Sequence, residues 1–190
     1  MNCDRRMTKH RWLRLAIVSL FGVVSAAGPG LAQTGAINNS PAEVVKKYLS
    51  LDARGARLDG LSFDAIVPYV GWKEEPAWGH VVVIDSYAVP ERLRQWEIVN
   101  MLEVVIPVEF RVLGAVYLET ASFIPEVTTE QVRVRVRAVN NRWRIVEPIL
   151  PPHVGRTRML NFVREAILQE SDAGRRAKLI MLRDDLRKVK

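Results

Sequence analysis

Apolar and basic residues alternate with a period of two through Val132-Arg133-Val134-Arg135-Val136-Arg137-Ala138-Val139. The pattern breaks at Asn140-Asn141 and resumes in Arg142-Trp143-Arg144-Ile145-Val146. Period two sends successive side chains to opposite faces of a strand, so the segment predicts a β-hairpin with one buried and one wet face. Asn tolerates the positive φ of a type I′ turn, which suits a two-residue loop. That turn sets Val139 opposite Arg142, Ala138 opposite Trp143, Arg137 opposite Arg144 and Val136 opposite Ile145. Val136, Ala138, Trp143 and Ile145 then share the buried face. A slip by one residue would bury the arginines, so the register is well determined. Like charges facing each other are unfavourable, which predicts acidic neighbours for Arg137 and Arg144.

A helical period precedes this. Ser40-Pro41-Ala42-Glu43 forms an N-cap, a proline in the first turn and a capping-box glutamate. Val44, Val45, Tyr48, Leu51 and Leu58 follow at helical spacing, with Gly55 or Gly60 ending the run. A short helix is expected over 63–70, presenting Phe63, Ile66 and Val67. Residues 71–79 read as an irregular loop bearing Trp72 and Trp78. Residues 81–89 read as a strand by β-branched content, 90–95 as a charged connection, and 96–117 as strand-rich. Pro107 and Gly114 there call for an edge position, a bulge or a bend. Residues 120–129 read as a loop, and Pro148, Pro151 and Pro152 end the sheet. A helix over 158–170 turns Leu160, Val163, Ala166 and Ile167 inward. A break at 171–174 is followed by a second amphipathic segment with Leu179, Leu182 and Leu186 on one stripe. The expected fold class is α+β: a strongly bent antiparallel sheet on N-terminal helices, with a C-terminal helical extension.

Composition changes the picture at the N-terminus. Arg5, Arg6, Lys9, Arg11 and Arg14 precede an apolar run at 15–27, and Gly30-Leu31-Ala32 offers small residues for cleavage after Ala32. This is the arrangement of a secretion signal, and the run is short of the ~20 residues a membrane span needs. The expectation is a periplasmic or secreted protein with no stable span after cleavage. Residues 33–39 form a polar leader. The sole cysteine, Cys3, lies inside the signal, so the mature chain has no disulfide and no thiolate ligand. The formal charge of +7 is also partly the signal's: it holds five of 28 Lys and Arg and one of 21 Asp and Glu, leaving +3. A nucleic-acid partner wants a concentrated basic patch, and none is expected.

The capped helix Pro41-Ala42-Glu43-Val44-Val45-Lys46-Lys47-Tyr48-Leu49, the strand Val81-Val82-Val83-Ile84-Asp85-Ser86-Tyr87-Ala88-Val89 and the Asn140-Asn141-Arg142-Trp143-Arg144-Ile145 strand come in an order that resembles the nuclear transport factor 2-like superfamily. That superfamily includes SnoaL-like polyketide cyclases, ketosteroid isomerase and many exported bacterial proteins. The resemblance spans residues 40–152. It implies a cone, a bent sheet wrapped around a helix, whose mouth can hold a small ligand. Residues 153–190 extend beyond it.

Candidate chemistry is sparse. Asp85 and Tyr87, two apart on a strand, would share a face with Val81, Val83 and Val89, where a carboxylate could act as a base. Tyr69, Trp72, Trp78 and Tyr117 are candidate pocket walls; the alternative is that they close the core. His80 and His153 are the only histidines after the signal, too few for a zinc site. No G-x-S-x-G, H-E-x-x-H, P-loop or post-strand G-x-G-x-x-G occurs, so no metal or cofactor is expected. The leading expectation is an exported, non-catalytic module that binds a small apolar or amphipathic ligand or another protein. The alternative is an isomerase, cyclase or hydrolase using Asp85 with Tyr87. A third reading is assembly, as a homodimer or with an envelope protein, through the sheet or the Leu179, Leu182 and Leu186 stripe.

Overall fold

The capping box at Ser40 forms as the sequence demands: the Ser40 side chain accepts from the Glu43 N–H, and the Glu43 carboxylate accepts from the Ser40 N–H. It opens helix α1, Pro41–Ala53. The structure is a computed structural model and describes residues 40–58 and 63–189. The expected signal at 1–32 and the leader at 33–39 lie outside the described residues. Arg54 closes α1, and Gly55 at φ +83° turns the chain away. Instead of one short helix, 63–70 forms two 3-10 turns, Phe63–Ala65 and Val67–Tyr69, with Ile66 and Val70 buried. Pro68 sits inside the second turn.

Among the described residues six strands make one sheet: β1 (Val81–Ala88), β2 (Glu97–Asn100), β3 (Glu103–Tyr117), β4 (Ser122–Val139), β5 (Arg142–Glu147) and β6 (His153–Gly155). The order is β5-β4-β3-β1-β6, with β2 paired to β3. The sheet is mixed and strongly curled into a half-barrel, with helices at its N- and C-terminal sides, an α+β fold consistent with a cone. The β4–β5 hairpin has the expected register, and Asn140 and Asn141 both carry positive φ. Arg137 finds its acid in Glu103, which also holds Arg135. Arg144 does not find one. It donates instead to the carbonyls of Val67 and Val70, because Val70 lies along the outer edge of β5.

Three expectations need correction. Residues 120–129 are strand, not loop: β4 runs unbroken from Ser122. Its first half is mostly exposed, so it shows no apolar alternation, and its pairing is imposed by β3. The prolines at 148–152 do not end the sheet, because β6 adds parallel to β1 and makes the sheet mixed rather than purely antiparallel. Pro107 does lie at an open edge: β3 pairs with β2 through Val105 and with β1 only from Glu109. Gly114, at φ +146°, marks an irregular step where an added Cβ would sit 2.2 Å from the Ile124 carbonyl oxygen.

The third correction concerns the C-terminal helices, α2 (Arg156–Gln169) and α3 (Ala173–Lys188). They cover the sheet face opposite α1. Val45, Tyr48, Ile106, Phe110, Val136 and Ile145 form the core under α1, and Val83, Leu113, Val116, Met159, Leu182 and Leu186 form a second core under α2 and α3. Leu182 and Leu186 are buried and Leu179 packs beside them. The stripe proposed for a partner is therefore covered by the chain's own sheet. The physical reason is that β1 is apolar on both faces, with Val82 and Ile84 packing under α1 and Val81 and Val83 facing the other way, so the sheet needs a second layer.

Candidate functional site

The outward turn of α1 faces the C-terminal end of β1 across a groove of about 590 Å³. Val44, Tyr69, Tyr87 and Val89 provide its apolar walls, and Glu43, Lys46, Lys47 and Ser50 its polar rim. Helical spacing explains the rim: 43, 46, 47 and 50 share the face opposite the buried stripe. Glu43 is committed to the cap of α1. Lys46 pairs with Glu91, whose carboxyl the hydrogen bond from Lys46 pulls below its ordinary range. Lys47 has no acidic partner among the described residues.

Tyr69, expected as a pocket wall, and Tyr87, expected as a partner of Asp85, both line this groove, but Asp85 does not join them. Ile84 pairs with Val112 and Ser86 with Arg111, so Asp85 is the extra residue of a β-bulge. The bulge breaks the two-residue alternation. Ile84 and Tyr87 pack on the core under α1, whereas Asp85 turns to the other face. There it pairs with Arg111 at 3.2 Å, is one-third exposed, and borders a cleft with Arg54, Arg156, Thr157, Arg158 and Asn161 at the start of α2. Asp85 and Tyr87 thus cannot act on one substrate atom in this arrangement.

The remaining aromatics scatter too. Trp72 packs on the core, edge-on to Tyr48 at 6.2 Å between ring centres. Trp78 borders a separate 290 Å³ cleft with Arg57, Glu75 and His80. Tyr117 lies against the His80 ring at 5.7 Å. Among these candidates only Tyr69 and Tyr87 line the groove.

A buried charge centre went unnoticed in the sequence. Asp52 sits on the inward stripe of α1, and both its oxygens accept from Arg57, at 2.9 and 2.6 Å. Arg57 also donates to the Leu150 and Pro151 carbonyls and to Glu75, at 2.8, 3.0 and 3.2 Å, so all five guanidinium N–H groups are used. The His153 N–H donates to Asp52, and the His153 ring lies 4.5 Å from Phe110. Burial works against the Arg57 charge, but its hydrogen bonds and proximity to Asp52 outweigh that and hold it protonated. Burial pushes the Glu75 carboxyl up despite Arg57 beside it. Burial likewise pushes the His153 imidazole down and the Tyr48 hydroxyl up. The centre ties the end of α1 to the 150–153 segment. With its donors saturated it is a structural lock. An Asp at the i+4 position after Tyr48 on an apolar stripe was the available signal.

No group of three or more His, Cys, Asp or Glu among the described residues is placed to hold a metal ion. No described helix is long and apolar enough to cross a membrane. Comparison with protein-family models, with curated proteins and with solved structures returns no match to this chain.

Proposed function

We propose that this chain is an exported, non-catalytic domain that binds a small amphipathic ligand in the groove between α1 and β1. The observation that carries the reading is the groove itself. Its volume of about 590 Å³ falls in the ~300–1,000 Å³ range of small-molecule sites, and apolar walls meet a few polar groups there. Tyr69, Tyr87, Val44 and Val89 suit an aliphatic or ring-shaped body. Lys47, free of any acid among the described residues, favours a carboxylate or similar anionic head. The non-catalytic part rests on the acids: Glu43 is held by the helix cap, and Asp85 faces the other side of the sheet.

Equilibrium binding of decanoate and of decylamine tests this, comparing wild type with Ser50→Trp. Ser50 lies on the rim, so the indole fills the groove without entering the core. The reading expects decanoate to bind more tightly than decylamine and Ser50→Trp to abolish the difference. Equal binding of both, unchanged in Ser50→Trp, would refute it.

A further inference from the structure

Two carboxylates share one guanidinium below the end of α1. Asp52 holds Arg57 through both its oxygens, whereas Glu75 takes a single contact at 3.2 Å through Oε1. Burial pushes the neighbouring His153 imidazole toward its neutral form, so the group keeps one uncompensated negative charge. That charge falls on Glu75, whose Oε2 accepts no hydrogen bond among the described residues. An unbalanced charge held away from water is costly, and for that reason burial pushes the Glu75 carboxyl up.

Glu75 is not sealed in. Its side chain is 21% exposed, whereas those of Arg57 and Asp52 are 0% and 1%. It opens on the 290 Å³ cleft shared with Trp78 and His80. The Trp78 indole N–H is buried without a hydrogen-bond partner, yet it lies close enough to Glu75 to favour the charged carboxylate. Trp78 therefore walls the cleft directly beside Glu75. His80, in ring contact with Tyr117, and Leu118 add to the wall. Among the described residues no cation other than Arg57 lies within ion-pair distance of Glu75. The flanking Lys73 and Glu74 are both exposed and opposite in sign.

We infer that this cleft binds the ammonium group of a small organic cation, with the Glu75 carboxylate as counter-ion and Trp78 as an aromatic wall. Such a cation supplies the charge that Arg57, shared with Asp52, does not, and an indole ring attracts organic cations through its π electrons. A divalent metal ion is a poor match: it wants several oxygen ligands, and the cleft offers one carboxylate among mostly apolar walls. The cleft has about half the volume of the α1–β1 groove and shares no lining residue with it. It suits a compact head group rather than a long chain.

Calorimetric titration of the full chain with choline and with dimethylbutanol, its uncharged carbon isostere, tests this. Choline should bind wild type at least about ten-fold more tightly than the alcohol does. Glu75→Gln, which keeps an oxygen for Arg57, should bring choline down to the level of the alcohol. Trp78→Leu should weaken choline about five-fold. Ser50→Trp, which fills the α1–β1 groove, should leave choline binding unchanged. Amide chemical shifts of the wild-type chain need no substitution, and choline should move those of residues 75–81 most. Absent choline binding, equal binding of choline and the alcohol, or a Glu75→Gln chain that binds choline as wild type does would overturn the inference. So would shifts centred on residues 43–50 and 87–89, which would place the cation in the groove instead.

Discussion

Removing Arg57 should be among the most damaging single changes in this domain. Its guanidinium is fully enclosed and makes five hydrogen bonds to Asp52, Glu75, Leu150 and Pro151. In Arg57→Met the aliphatic volume is largely kept, but Asp52, 1% exposed, keeps only the His153 N–H. An uncompensated buried charge costs about 3–5 kcal/mol. Domains of this size have about 5–15 kcal/mol in total. At about 2–4 °C per kcal/mol, the melting temperature should fall by about 6–20 °C. Urea unfolding followed by tryptophan fluorescence gives the free energy, provided the slope is unchanged. Arg57→Lys should recover little, since a single ammonium cannot replace a five-donor fork. The double variant Asp52→Asn/Arg57→Met should recover much of the loss, because the amide carries no charge to bury. An Arg57→Met loss below about 1 kcal/mol would refute the assignment of this pair as a lock.

Gly114→Ala should cost more than about 3 kcal/mol in urea unfolding, since its Cβ would meet the Ile124 carbonyl at 2.2 Å and φ is +146°. Leu186→Ala should cost about 2–5 kcal/mol by the same measurement, because that side chain is enclosed under α3. The depressed His153 imidazole links stability to acid. The unfolded ring binds a proton that the folded ring refuses, so stability is complete above about pH 6.5 and falls as pH drops below it. Melting temperatures through that window should fall less steeply in His153→Gln than in wild type.

Where burial is one-sided, residue pattern and observed structure agree closely. The capping box, the α1 stripe and the β4–β5 register were legible because each places apolar residues on a single face. The first half of β4 was not, since most of its side chains are exposed and its pairing comes from β3. Local pattern also fails at bulges. Asp85 and Tyr87 are two apart in sequence, yet one extra residue opposite Val112 and Arg111 sends them to opposite faces. For the candidate site, Tyr69 and Tyr87 were foreseeable as aromatic residues. Their convergence on α1, and the rim of Lys46, Lys47 and Ser50, came from the sheet's curl, a long-range property. The Leu179, Leu182 and Leu186 stripe shows the reverse case: its apolar face was read correctly, but the sequence alone left open which surface covers it.

The groove is probed most directly by photolabelling with a diazirine-bearing decanoic acid, followed by peptide mapping of the full chain. The account predicts adducts on residues 43–50 of α1, at Tyr69 and on residues 87–89, suppressed by excess decanoate and absent in Ser50→Trp. Adducts confined to residues outside these three segments, or unaffected by decanoate, would contradict it.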